Sequence, residues 1–383
     1  PAKKVADKSF MTSTTNVEAL SELIQNENID GLITGFVDML LPFYEKACKI
    51  NNLPCYLEKH QIDILTDKIK FKKLCRDFEI PVVEEYFLNN ITDNEQINTL
   101  EFPVLLKPAD NSGGRGITIC RTLDQFYENY TKTISFSKTK QVLVEKYMQC
   151  KEVTIFYYIQ NGNAYLTAMG DRHVQYFKDG LIPLPVAYTF PSVHLNEYER
   201  NIHPKVVDMF HHLKMKDGIV FIQSFVKDGK CIFYEIGYRL TGSLEYKIID
   251  HATGFNPMKM MLEYAITGQS NPSIKDLANP FFKKPYCNIT FLANPGIIGS
   301  IRGVEQIKEM DQVLDIVLSY GVGDEIPQKA LGTLAQVVAR VFAYADTKIE
   351  LISLMDNIHK EFYVLDKNGA NMLLPVFDTS NIV

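Results

Sequence analysis

Residues 106–117 read LKPADNSGGRGI, a lysine at the end of an apolar run followed by three glycines and one arginine. Glycines let backbone N–H groups come close to phosphate oxygens, and a lysine at the end of a rigid strand adds a fixed positive charge beside them. The preceding FPVLLKP, from residue 102, has the look of that strand: it opens on Pro103 and closes on Pro108, positions where a missing N–H is tolerated. The same residues also fit a surface turn with an incidental Lys107. No Walker A pattern and no post-strand GxGxxG is present, so the P-loop and dinucleotide routes to nucleotide binding are disfavoured.

Working outward, VLVEKYMQCKEV at 142–153 is a short strand leading into Glu145, Lys146, Tyr147 and Met148. Such a segment can hinge against an adenine ring, with Glu152 accepting from ribose hydroxyls, although alone it is more often just a strand end. Residues 152–170 and 219–239 each read as a β-hairpin, turning at Asn161-Gly162 and Asp228-Gly229. On the second hairpin a three-residue loop, 228–230, would set Gln223 opposite Glu235 and present two oxygen ligands suited to Mg2+. A two-residue loop would put them on opposite faces. Both faces are otherwise apolar, so a carboxylate here needs a partner.

The N-terminal part alternates helix and strand signals. NVEALSELIQ from Asn16 reads as a capped helix, IDGLITG at 29–35 as a short buried strand, and DMLLPFYEKACKINN at 38–52 as a second helix, which together suggest a parallel α/β layer. DKIKFKKLCRDF at 67–78 reads as a helix capped by Thr66. After Gly268 comes a polar connection, then a strand in CNITFLANPG (287–296), a helix near LGTLAQVVARVFAYA (331–345) and a strand-like end from 361.

Composition bounds the function. The chain of 383 residues is 46% apolar and 22% charged with a net charge of -6, and its basic residues are scattered. That suits a multidomain globular enzyme acting on a small molecule rather than on nucleic acid or a membrane. Seven cysteines without a CxxC pair fit reduced core thiols better than disulfides or zinc. No apolar stretch reaches the ~18 residues of a membrane span and no signal peptide precedes the first helix, so a cytoplasmic location is expected. The first residue is Pro1 rather than Met, which suggests that an upstream segment was removed or left out.

Taken in order, TDK at 66–68, FPVLLKP with its glycine loop, VEKYM, IQSFVKDGKCIFYEIGYR and HATGFNP resemble the ATP-grasp superfamily, especially its biotin carboxylase and carbamoyl phosphate synthetase large-chain branch. The resemblance implies an α/β and α+β fold: a partial pre-ATP-grasp parallel α/β layer over 1–65, a small subdomain with the glycine flap over 66–140, a large subdomain with the metal site over 141–270, and a C-terminal subdomain over 271–383. It implies that Lys68 and Lys107 contact ATP phosphates beneath a flap of Ser112, Gly113, Gly114, Arg115 and Gly116. Glu145 to Met148 would hold adenine and Glu152 the ribose, Gln223 and Glu235 would bind Mg2+ or Mn2+, and Arg239 would steady the transferred phosphoryl group. Arg172 and His173 fall where the first hairpin leads toward substrate, as contacts to a carboxylate or phosphate or as a solvated loop; Arg302 is a candidate of the same kind.

The activity so implied is ligation through an acyl phosphate, with a small-molecule kinase or an ATP-binding module with weak or lost catalysis as alternatives. Dimers are common in the superfamily, which makes a homodimer one possible arrangement. One departure stands out. The family pattern Glu-x-Asn-x-Arg is EIGYR here, so Gly237 supplies no side-chain oxygen where an Asn ligand is expected. The residue would instead answer a backbone need for close approach or for positive φ.

Overall fold

The computed structural model describes residues 6–88, 91, 94–110, 116–177 and 182–382. Four short strands, β1 (Glu85–Tyr86), β2 (Val104–Pro108), β3 (Thr118–Cys120) and β4 (Val142–Lys146), form a small sheet in the order β1-β4-β2-β3. Its apolar face, including Val104, Leu106 and Val144, packs with Phe126 of the helix Leu123–Ser135.

Longer strands follow: β5 (Lys151–Gln160), β6 (Asn163–Gln175), β7 (Leu184–Phe190), β8 (Gly218–Lys227), β9 (Lys230–Gly237) and β10 (Tyr286–Leu292). Beyond them lie β11 (Gly296–Arg302), β12 (Val313–Leu318), β13 (Glu325–Ile326), β14 (Val337–Tyr344) and β15 (Tyr363–Asp366). Eight of these make one sheet in the order β12-β14-β10-β7-β6-β5-β8-β9, and β13-β11-β15 make a third. The central core packs helix 203–212 through Phe210 and helix 246–253 through Ile248 against strand residues such as Ile155 and Ile222. A second core joins β7, β10 and β14 to helix 348–361 through Ile289, Val341 and Met355.

Asn16 caps the first helix, as expected, by accepting from the Ala19 N–H at 3.1 Å. Both hairpin turns are also found, with φ of 51° and 81° at Asn161 and Gly162 and 51° and 77° at Asp228 and Gly229. The pair of positive values is what a two-residue turn matched to strand twist requires.

Three local expectations are corrected. Residues 29–35 form no strand; the segment is coil that runs up to Phe36, whose N–H donates to the Leu240 carbonyl at 3.3 Å. Every named strand pair is antiparallel, and the only parallel contact among the described residues is the isolated bridge between Val82 and Phe233, so the stretch has no neighbouring strand to complete a parallel pair. Asp67, not Thr66, caps the helix Lys68–Asp77, accepting from Ile69 and Lys70 N–H groups at 2.9 and 3.1 Å. Thr66 ends the preceding helix, its hydroxyl donating to the Ile62 carbonyl.

The segment expected as a helix within 331–345 is mostly strand β14. Alternation decides it: Val341 and Ala343 enter the C-terminal core while Phe342 enters the central one, and a β-branched run buried on both faces prefers the pleated sheet. Of the two loop lengths left open for the second hairpin, the structure has the two-residue one, since Lys227 pairs with Lys230.

Candidate functional site

That two-residue turn ought to send Gln223 and Glu235 to opposite faces, yet the two are cross-strand partners. The register shifts between Gln223 and Ser224, which pairs with Phe233, so Tyr234 is an extra residue on β9. A bulge of this kind re-aims the side chains that follow it. Here it turns Glu235 onto the face of Gln223, and both line a cavity of about 550 Å³ between the small sheet and the eight-stranded sheet. Neither side chain has a hydrogen-bond partner among the described residues.

The small sheet contributes the cations. Leu105 pairs with Glu145 across β2 and β4, so Lys107, two residues on, shares Glu145's face. The Lys107 amine lies 2.7 Å from Glu145, whose other oxygen accepts from Lys72. Lys72 is fully buried and also donates to the Val83 carbonyl at 3.1 Å, with Glu85 at 3.2 Å. Burial would push the Glu145 carboxyl up, but Lys107 and Lys72 outweigh it and hold it below the usual glutamate range. At Lys72 burial wins and its amine sits low, with Glu145 opposing. Lys68 faces the same cavity from the first turn of its helix; burial lowers its amine too, against the pull of Glu235 and with the push of Lys107.

Glu152 and Arg172 are partners across β5 and β6, and the guanidinium donates to the carboxylate. Tyr234, the bulged residue, donates to the same carboxylate at 2.8 Å. Arg239 follows β9 and grips Asp38 with Nε and Nη2 at 2.7 and 2.6 Å, while its guanidinium lies 4.9 Å from the centre of the Phe221 ring. Phe221 explains the glycine. It pairs with Gly237 across the hairpin, and a Cβ at 237 would stand 2.1 Å from the ring's Cε1, so close approach and not positive φ demands glycine.

Lys68, Lys107, Glu145, Lys146, Tyr147, Met148, Glu152, Arg172, Gln223, Glu235 and Arg239 thus line one cavity. Glu145, however, reaches it as the counter-ion of two lysines, and the Lys146 amine turns to the exposed Glu101 at 2.8 Å. Ser112, Gly113, Gly114 and Arg115 lie outside the described residues; Gly116 is described, with φ of 77° and Phe136 against it, and does not line the cavity. Two expectations fail. His173 bonds Thr189 at 2.8 Å and stacks on Phe377, turned away from the cavity by its neighbour position on β6, and Arg302 is exposed on β11 of the third sheet. Sequence reasoning missed Lys72, Asp38, Phe221, Tyr234 and Arg340, all placed here by tertiary structure. Of these only Lys72 carried a local signal, lying four residues after Lys68 beside the apolar Phe71.

Comparison with known proteins agrees with the geometry. A family model described as carbamoyl-phosphate synthase L chain, ATP binding domain, matches residues 67–270. The carbamoyl phosphate synthase large chain of Caldanaerobacter subterraneus subsp. tengcongensis is 24% identical over 324 residues, 80% of this chain and 29% of that one. The large chain of Archaeoglobus fulgidus is 22% identical over 322 residues, 78% of this chain and 29% of that one. The chain therefore spans under a third of the length of these curated relatives. Among solved structures, the L-amino acid ligase from Bacillus licheniformis aligns with a TM-score of 0.73 at 18% identity, covering 92% of this chain and 85% of that one. The biotin carboxylase domain of Hydrogenobacter thermophilus 2-oxoglutarate carboxylase, in complex with MgADP, ADP and bicarbonate, aligns at 0.75 and 17% identity, covering 97% and 82%. These likenesses establish the ATP-grasp fold.

Two substitutions test the site's construction. Glu145→Gln strands two buried amines and is expected to lower unfolding free energy by about 3–5 kcal/mol in urea titration; a change below about 1 kcal/mol would mean the carboxylate is not holding them. Gly237→Asn drives a side chain into Phe221 and is expected to cost about 1–3 kcal/mol and to reduce, not raise, any ATP turnover. Raised turnover would mean that Phe221 yields and a lost ligand has been restored.

Proposed function

Because the chain belongs to the carbamoyl-phosphate synthase L chain, ATP-binding domain family, we propose that it is an ATP- and Mg2+-dependent ligase that activates a carboxylate as an acyl phosphate for attack by an amine or another nucleophile. One observation carries the reading: Lys68, Lys107, Gln223, Glu235 and Arg239 arrive from a helix, the small sheet and the second hairpin, and all face one cavity. Phosphoryl transfer of this kind asks little covalent chemistry of side chains and much positioning and charge neutralisation.

In this reading Lys107, fixed by Glu145, and Lys68 bind the phosphates. The 145–148 hinge cradles the base; the Tyr147 N–H is already given to the Pro103 carbonyl at 3.2 Å, which fixes the segment's path. Glu152 takes ribose hydroxyls on the lone pairs that Arg172 and Tyr234 leave open. Gln223 and Glu235, two hard oxygen donors on one face without a hydrogen-bond partner among the described residues, would hold one magnesium ion. When bound, the cation neutralises the charge of the phosphates. Arg239, oriented by Asp38 and Phe221, offers its remaining N–H donors to the phosphoryl group in transit. The carboxylate oxygen bonds to the γ-phosphorus of ATP as the bond to the β-phosphate breaks and ADP leaves with its electron pair; the nucleophile then forms its bond to the acyl carbon, phosphate leaves with the electron pair, and the nucleophile's proton is lost.

The reading includes small-molecule substrates, a cytoplasmic site of action and a homodimer, the superfamily's common arrangement. A second reading, an ATP-binding module with little catalysis, draws on Phe221 filling the space where a further metal ligand would stand.

Lys107→Ala is expected to weaken MgATP binding about 100-fold by calorimetry, and unchanged affinity would remove the phosphate assignment. Glu235→Gln is expected to cut MgATP-dependent phosphate release at least about 10-fold with the fold intact. If that variant is unfolded instead, the carboxylate is structural.

A further inference from the structure

Three arginines line the cavity among the described residues, and they are not equivalent. Arg172 has Glu152 and Arg239 has Asp38. Arg340, only 6% exposed, has no ion pair among the described residues; its Nη1 donates to the Thr290 hydroxyl at 2.6 Å. Thr290 and Arg340 are cross-strand partners on β10 and β14, and Arg340 shares its face with Phe342, two residues on. Burial lowers its pKa, against the pull of Tyr188 and Glu245 and with the push of Arg172. Glu245 is not within ion-pair distance: one of its oxygens accepts from Thr241 and the other is buried without a hydrogen bond.

A guanidinium does not shed its proton, so a buried one without a carboxylate is a charge waiting for an anion. Its place indicates which anion. From β8, which carries Gln223, to β14 is five steps across the sheet through β5, β6, β7 and β10. Arg340 therefore enters the cavity from a different strand pair than the one that carries Gln223 and Glu235. Ser319, Leu334 and Val337, outside residues 67–270 that match the family model, line the same cavity as Arg340. One guanidinium without a carboxylate partner suits a monoanion with two coplanar oxygens, which its fork binds bidentately, better than a phosphate dianion.

Resting on the ligase reading above, we propose that Arg340 anchors a free carboxylate of a small-molecule substrate, distinct from the carboxylate that is phosphorylated, and so sets specificity. The substrates together then carry at least two carboxylates: a dicarboxylic acid, or an acid joined to an amino acid.

The test uses the twenty L-amino acids and short dicarboxylic acids, singly and in pairs, each beside its carboxamide and with glycerol phosphate as the phosphate arm, scored by MgATP-dependent phosphate release. The wild-type protein is expected to respond to a free acid and to lose about 100-fold in kcat/KM with the corresponding amide. In Arg340→Gln that preference collapses through KM, while MgATP affinity is unchanged. Because the arginine lacks a counter-ion, Arg340→Met is expected to leave the ligand-free protein as stable as wild type or more so. Equal response to acid and amide, a response to glycerol phosphate alone, no response to any acid, or a destabilised Arg340→Met with acid preference retained in Arg340→Gln would each overturn the proposal. Failure of the wild type to bind MgATP would instead overturn the ligase reading on which it rests.

Discussion

One buried carboxylate organises the nucleotide side of the molecule. Glu145 lies at the end of β4 between Lys72 and Lys107, and without it two amines would sit in a protein interior with Glu85 as the only other nearby carboxylate. An uncompensated buried charge costs several kcal/mol, so the position of the 145–148 segment is coupled to the position of both lysines. The coupling runs further. Lys72 belongs to the helix whose first residue is Lys68, and that helix begins against the end of β2, the Lys68 N–H donating to the Ala109 carbonyl at 3.3 Å. The helix, the 145–148 segment and Lys107 are therefore tied to one another.

The other wall owes its chemistry to one extra residue. A regular hairpin with the Asp228-Gly229 turn would bury Glu235 on the wrong face; Tyr234 corrects the register and then uses its own hydroxyl to hold Glu152. Opposite Gly237, the Phe221 ring both excludes a larger side chain and supports the Arg239 guanidinium. The departure from the family pattern is thus a packing exchange in which an aromatic surface for the arginine replaces an oxygen ligand.

These features mark what a sequence can and cannot disclose. Hairpin turns, the strand before the glycine loop and the order of the motifs were legible because they rest on local φ requirements and on alternation. Gln223 and Glu235 were found as a pair, but for the wrong reason, since a bulge leaves no simple trace in residue spacing. The partners of Lys107 and Arg239 are far away in the chain: Asp38 lies 201 residues before Arg239, and no periodicity links them. Arg340 was hidden by a wrong assignment. Read as helix, VVARVFAYA has no cavity face; as a strand, it puts the arginine beside Phe342 and opposite Thr290. His173 failed for the converse reason, because neighbours on a strand point to opposite faces and only Arg172 could face the cavity.

Lys68, Lys107, Gln223, Glu235 and Arg239 lie within the part of the chain that matches the family model and Arg340 lies beyond it, so the cavity is built from both stretches of sequence. The central claim is that the ATP bound between them phosphorylates a carboxylate. Carboxylic acids labelled with oxygen-18 in the carboxyl group, incubated with the protein and MgATP, test it by mass spectrometry of the released phosphate. Phosphate carrying one label atom is the result this account requires, since an acyl phosphate leaves one carboxyl oxygen on phosphorus. Turnover that releases only unlabelled phosphate, or leaves a stable phosphorylated product, would contradict it.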